Sequence, residues 1–223
     1  MTSSEQQRVP VEPRDAATVL LLRPGTTAPF EVFVMVRRQS MAFAAGVVAF
    51  PGGGVSAEDS SPVAPEWVSR LGVTSPAQAA GVVGAAVREL AEETGVVVPV
   101  SGLGLWDAWT TPVDVPKRYR TWFFTAVLPE GQEALELSTE SSSVAWVSPT
   151  DALDRADSRE WSLMPPTYSA LLRLATYTSV EDVMAATAAA GVEMFTPIVT
   201  DDGVRLPAWA SELAAARPGA RWT

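Results

Sequence analysis

Residues 88–96 read Arg-Glu-Leu-Ala-Glu-Glu-Thr-Gly-Val, and this run constrains the fold more than any other part of the chain. It sets Glu89, Glu92 and Glu93 at i, i+3 and i+4, shortly before a glycine that can end a helix. At about 100° per residue the three carboxylates share one arc of a single turn. Anions held so close repel one another. A solvated acidic face would explain Glu-x-x-Glu-Glu on its own, but the flanking residues weigh against it. Val83, Val87, Leu90 and Thr94 form a mostly apolar stripe, while Val82 and Ala85 lie on the same side as Glu89 and partly cover the carboxylate face. Arg88 stands four residues before Glu92 and can pair with it. A covered carboxylate cluster calls for a divalent cation, and hard oxygen ligands of this kind suit Mg²⁺ or Mn²⁺. The expectation is a helix over 76–94, with Glu89, Glu92 and Glu93 as metal ligands and Arg88 orienting them.

Upstream, Ala49-Phe50-Pro51-Gly52-Gly53-Gly54-Val55 carries a short apolar strand, Val47 to Phe50, into glycines. An ordinary turn accounts for Pro-Gly-Gly taken alone. A glycine loop also lets backbone N–H groups approach a ligand closely, so Gly52, Gly53 and Gly54 are candidate substrate contacts.

Together the two segments resemble the Nudix box, Gly-x5-Glu-x7-Arg-Glu-U-x-Glu-Glu-x-Gly-U with U aliphatic. Gly52 and Glu58 can fill its first part, and Arg88, Glu89, Leu90, Glu92, Glu93, Gly95 and Val96 fill the second without mismatch. The box is split: 29 residues separate Glu58 from Arg88 where the standard spacing has seven, which leaves 22 extra. Glu58 and Asp59 are both open as the first acidic position. A split box is similar to that of the peroxisomal-type acyl-coenzyme A diphosphatases and their bacterial relatives. Trp109-Thr-Thr-Pro112, Pro116 to Phe124, Trp146-Val-Ser-Pro149 and Met164-Pro-Pro-Thr-Tyr168 extend the likeness from about residue 17 to about 207.

The resemblance implies an α/β chain, a Nudix α/β/α sandwich with a mixed sheet. It would have a tail at 1–14 and one domain at 15–223, with an insertion at 59–76 and a helical extension at 160–223. The implied chemistry is metal-dependent hydrolysis of a diphosphate in a nucleotide derivative. The best-matching substrate is coenzyme A or an acyl-coenzyme A, cut to 3′,5′-ADP and a 4′-phosphopantetheine. ADP-ribose or NADH is the rival substrate, and a non-catalytic nucleotide-binding module is the rival class. A further acid from outside the box usually completes the chemistry. Glu140, just before a strand at 144–147, is the candidate base, with Glu136 and Asp114 behind it. Lys117, Arg118 and Arg120 are candidates for phosphate contact, although charge balance at a strand end explains them equally well. Trp109 or Tyr119 could stack on adenine, or simply be core.

Composition narrows the alternatives. The chain contains no histidine and no cysteine, so imidazole bases, thiolate nucleophiles, disulfides and zinc–thiolate sites are excluded. A net charge of −10 argues against nucleic acid or anionic lipid as partner. No apolar run reaches the roughly 20 residues of a membrane span, and Met1 to Arg14 lacks a signal-peptide core, so a cytoplasmic protein is expected. Strands are expected at 17–22, 31–37, 47–50, 96–98, 105–110, 122–128 and 144–147. Short helices are expected near Glu66 and at 149–156, 166–177 and 180–190. The last two can cap the core, dock a partner or form a homodimer surface.

Overall fold

The computed structural model describes residues 11–37, 47–137, 141–201, 203–217 and 219–220. Strand β1 (Arg14–Pro24) is the axis of the sheet. Every residue from Ala16 to Leu22 in it is buried, as expected where both faces of a sheet are covered. The chain continues through β2 (Phe30–Arg37), β3 (Val47–Ala49), β4 (Gly52–Gly54) and a five-residue helix α1 (Glu66–Arg70). The long helix α2 (Pro76–Thr94) follows, then β5 (Gly104–Thr110) and β6 (Tyr119–Val127). The remainder is β7 (Ser141–Val147), α3 (Pro149–Asp157), β8 (Ser162–Leu163), α4 (Pro165–Leu174) and α5 (Val180–Thr187). The hairpin β9 (Ile198–Thr200) and β10 (Gly203–Arg205) comes before α6 (Ala208–Ala215).

The sheet is mixed. One edge of β1 pairs with β6 in parallel, from Arg14↔Tyr119 to Leu22↔Val127. Its other edge divides. Ala16–Thr18 pairs antiparallel with β4, and Leu22–Pro24 pairs antiparallel with β2. Between them Val19 donates its N–H to Pro51 O at 2.8 Å. The sheet therefore forks at the glycines.

Alternation along β1 sends Leu20 and Leu22 into one core and Ala17, Val19 and Leu21 into the other. The first core packs against α3, α4, α5 and α6 through residues such as Leu153, Leu171, Val183 and Ala210. The second packs against α1 and α2 through Trp67, Val82, Val83, Ala86 and Leu90. This is the expected α/β/α arrangement with helices beyond the box. Among the described residues no helix is long and apolar enough to cross a membrane.

Three expected elements differ. Val96–Val98 is not a strand, because Val97 exchanges its backbone bonds with the side-chain amide of Gln132, at 2.8 and 2.9 Å, instead of with another strand. The glycines at 52–54 are not a free turn but a strand paired to β1. Beyond residue 190, within the expected helical extension, the chain forms the β9–β10 hairpin before it returns to helix in α6.

Candidate active site

Helix α2 runs over the expected residues because its ends are locally encoded. The Ser75 hydroxyl accepts the Gln78 N–H at 3.3 Å and Pro76 opens the first turn, where a missing donor costs nothing. Gly95 closes the helix in the left-handed conformation, φ 75°, with its N–H on Ala91 O. Val82, Val83, Ala86 and Leu90 are fully buried against the sheet, which fixes the helix rotation and sends the acidic arc toward the fork.

The glycine strand lies directly on that arc. Gly52 N donates to Glu93 Oε2 at 2.8 Å. A Cβ at Gly53 would sit 2.3 Å from Glu89 Oε1, and one at Gly52 would sit 2.4 Å from Ala17 O. Only glycine allows the strand to pass between β1 and the carboxylates at this distance.

Arg88 is the hub. Its Nε donates to Asp59 Oδ1 at 2.7 Å and its Nη2 to Asp59 Oδ2 at 2.9 Å. Nη1 donates to Glu89 Oε1 and Glu92 Oε2, both at 2.9 Å, and Nη2 also donates to Gly54 O at 3.1 Å. All five guanidinium N–H donors are thereby matched by protein acceptors. Arg88 organises the carboxylates rather than offering an open donor. Asp59, not Glu58, faces it: the Asp59 side chain is 3% exposed, whereas Glu58 is an exposed residue.

The electrostatics follow from this crowding. Burial pushes the Glu89 carboxyl above its usual range; Arg88 opposes the shift, while Glu92 and Asp59 add to it. Burial also pushes Asp59 upward, but hydrogen bonds from Arg88 and from the Ser56 N–H outweigh it and hold the group below its usual range. Hydrogen bonding to Asp59 heads the contacts that keep Arg88 firmly protonated. Four carboxylates (Asp59, Glu89, Glu92 and Glu93) thus surround or adjoin one guanidinium, an excess of three negative charges. The side chains turn toward Arg88 and Gly52, and among the described residues no three acidic groups converge at metal-ligand spacing. The donor set, all oxygen and strongly anionic, fits a hard divalent cation.

The remaining expected residues are distributed differently. Glu140 lies outside the described residues, as do Arg38, of the basic pair Arg37-Arg38, and Met41-Ala42-Phe43-Ala44, the stretch before the glycines that by its place in the sequence would help line the site. Arg118 is buried and spends its guanidinium on Thr111 O at 3.2 Å and Val11 O at 2.9 Å. Arg120 Nε donates to Asp15 Oδ1 at 2.7 Å, and Gln78 from the first turn of α2 holds the other Asp15 oxygen at 2.7 Å. Lys117 is exposed, with its ammonium 5.7 Å from the Tyr119 ring centroid. Trp109 is core: it is 3% exposed, packs edge-on to Phe195 and donates its indole N–H to Asp107. Asp15 and Gln78 had no local signal, since their partners lie about a hundred and about sixty residues away.

Comparison with known proteins bears on the same segment. Residues 12–166 match the NUDIX domain family. A nudix hydrolase, number 7, of Caenorhabditis elegans is 28% identical over 192 residues, covering 70% of this chain and 55% of that protein. The acyl-coenzyme A diphosphatase NUDT19 of Gallus gallus is 30% identical over 100 residues, covering 43% of this chain and 26% of that protein. The chain thus spans about half of the first relative's length and about a quarter of the second's. A NUDIX hydrolase crystal structure from Alicyclobacillus acidocaldarius superposes with a TM-score of 0.65 at 25% identity, covering 78% of this chain and 96% of that one.

Proposed function

This chain belongs to the NUDIX domain family, and from that premise we propose that it hydrolyses a diphosphate linkage, with coenzyme A or an acyl-coenzyme A as substrate. The observation that carries the reading is the seating of the glycine strand on Glu89 and Glu93, with Glu89 and Glu92 tied to Arg88. Glu89, Glu92 and Glu93 would hold Mg²⁺ or Mn²⁺. A bound divalent ion supplies phosphate charge neutralisation and a more acidic water.

The protein's own groups do the positioning. Arg88 restrains Glu89 and Glu92, and Asp59 restrains Arg88. Gly53 leaves the space beside Glu89 open to a diphosphate, since any side chain there would meet the carboxylate. Lys117, the exposed cation of its cluster, reads the 3′-phosphate that coenzyme A carries and ADP-ribose lacks. Arg118 and Arg120 brace the segment that presents it.

The name of the Gallus gallus relative supports coenzyme A over ADP-ribose and NADH. A product assay with Mg²⁺ or Mn²⁺ against coenzyme A, acyl-coenzyme A, ADP-ribose and NADH tests the reading. Release of 3′,5′-ADP as the fastest reaction is expected. AMP from ADP-ribose or NADH as the faster product would overturn the substrate, and silence across the panel would overturn the diphosphatase.

A further inference from the structure

The split box poses a mechanical problem, because the chain leaves the site immediately after Asp59 and returns only at Ser75. Locally Asp59 is tied back to Ser56, whose N–H its carboxylate accepts at 2.7 Å and whose carbonyl accepts its own N–H at 3.2 Å; the seat against Arg88 is supplied by α2. Gly81 and Gly84 lie one turn apart on the helix, where glycine is unfavourable for the helix alone. At Gly84 a Cβ would stand 3.0 Å from Ser60 N, 3.3 Å from Asp59 C and 3.4 Å from Asp59 Cα. The departing chain therefore lies backbone-to-backbone on the helix at this residue. Ser61 N donates to Ala80 O at 3.2 Å, and Ser56 N donates to Asp59 Oδ2 at 2.7 Å, so the segment is pinned on both sides of Asp59. Gly81 is less crowded. Its Cβ would meet the tip of Val55 at 3.2 Å and Asp59 O at 3.5 Å.

We propose that Gly84 is a positioning residue: it is the seat that lets the inserted segment press Asp59 onto Arg88 and so holds Glu89 and Glu92 in place. A methyl group at Gly84 meets backbone atoms that have no rotamer to yield with, so Asp59 must lift. A methyl group at Gly81 meets a side-chain tip that can turn away. The proposal rests on the diphosphatase reading for its consequence in catalysis, but its geometry is measurable without substrate.

The test is hydrogen exchange of the Arg88 Nε–H, read by NMR and assigned by the signal lost in Arg88→Lys. In Gly84→Ala the exchange is expected to accelerate at least about tenfold. The melting temperature should fall by a few degrees at most, because alanine's preference for the helix offsets most of the lost Asp59–Arg88 pairing. Turnover is expected to fall about tenfold or more in kcat with little change in KM, and Gly81→Ala should stay within about threefold of wild type on both readouts. A purely structural role would lower stability and leave the surviving folded enzyme's kcat alone. Should Gly84→Ala not fold, Ser61→Pro removes the N–H on Ala80 O without touching α2, and the same acceleration is expected. Wild-type exchange of the Arg88 Nε–H in whichever of the two folds overturns the proposal. If the wild type turns over no substrate, the exchange result still decides the seat, and that silence counts against the diphosphatase alone.

Discussion

Gly52 and Glu93, 41 residues apart, are joined by a 2.8 Å hydrogen bond from the Gly52 backbone N–H to the Glu93 carboxylate. One carboxylate of the acidic turn is thereby fixed to the strand that forks the sheet. The glycine strand and the acidic turn are thereby tied together across the site.

Glu93→Gln separates charge from shape. The amide oxygen can still accept from Gly52, so the melting temperature should hardly change. Loss of an ionic metal ligand should cost several kcal/mol of transition-state stabilisation, about a thousandfold in kcat/KM. Full metal-dependent activity in this variant would remove Glu93 from the site.

Two neighbouring glycines should fail in different ways. Gly52→Ala drives a Cβ to 2.4 Å of Ala17 O, a backbone clash that should destabilise the protein by about 2 kcal/mol. Gly53→Ala meets the Glu89 side chain first, and that side chain can swing aside, so the protein should fold and lose turnover instead. Thermal melts and kinetics on the pair check the contrast, and equal melting losses would contradict it.

Asp59→Asn should destabilise by about 1–2 kcal/mol at neutral pH, less than a wholly buried pair because Arg88 is 28% exposed. The sign with pH is set by the depressed Asp59 carboxyl. Its stabilisation is complete above the unfolded-state pKa of about 4 and is lost as pH falls through the lower folded-state value. The gap in melting temperature between wild type and variant, measured in chelator, should therefore be widest near neutrality and close in acid. A gap that widens toward acid would refute the pairing.

Gly104 is where α5 meets the sheet. A Cβ there would lie 2.1 Å from Thr187 Oγ1 and 2.4 Å from Thr125 Oγ1, two buried hydroxyls bonded to each other at 3.0 Å. Gly104→Ala should cost about 2–3 kcal/mol, and adding Thr187→Ala should recover part of it. A denaturant melt that shows no recovery would place the strain elsewhere.

Lys117→Ala should raise KM for coenzyme A about tenfold with little effect on ADP-ribose. Arg118→Ala should instead lower stability, since it strips donors from Thr111 O and Val11 O. Parallel kinetic losses on both substrates for Lys117→Ala would deny it the 3′-phosphate.

What could be read from the sequence was what is encoded within a few residues. Pro76 and Gly95 gave the limits of α2, and Val83, Leu90 and Thr94 gave part of its buried face, which also takes in Val82 and Ala85. Partners far along the chain were not legible. The Val96–Val98 run has the composition of a strand, but Gln132 occupies its backbone groups. Arg118 and Arg120 have the composition of a phosphate site, yet Val11 and Asp15 reach them first. The choice between Glu58 and Asp59 turned on which residue meets α2, a property of the helix surface at Gly84 and not of either acid.

The inserted segment begins and ends on one helix: Ser61 N rests on Ala80 O, and Ser75 caps the first turn at Gln78. Its two ends are thus anchored a few residues apart, whatever lies between them. For such a closed loop, length enters the entropy only logarithmically, each doubling costing about 0.6 kcal/mol. The carboxylates keep their register from the two anchors, and with Trp67 and Leu71 committed to the core, the stretch between Ser61 and α1 is where new surface can arise at little cost to the chemistry.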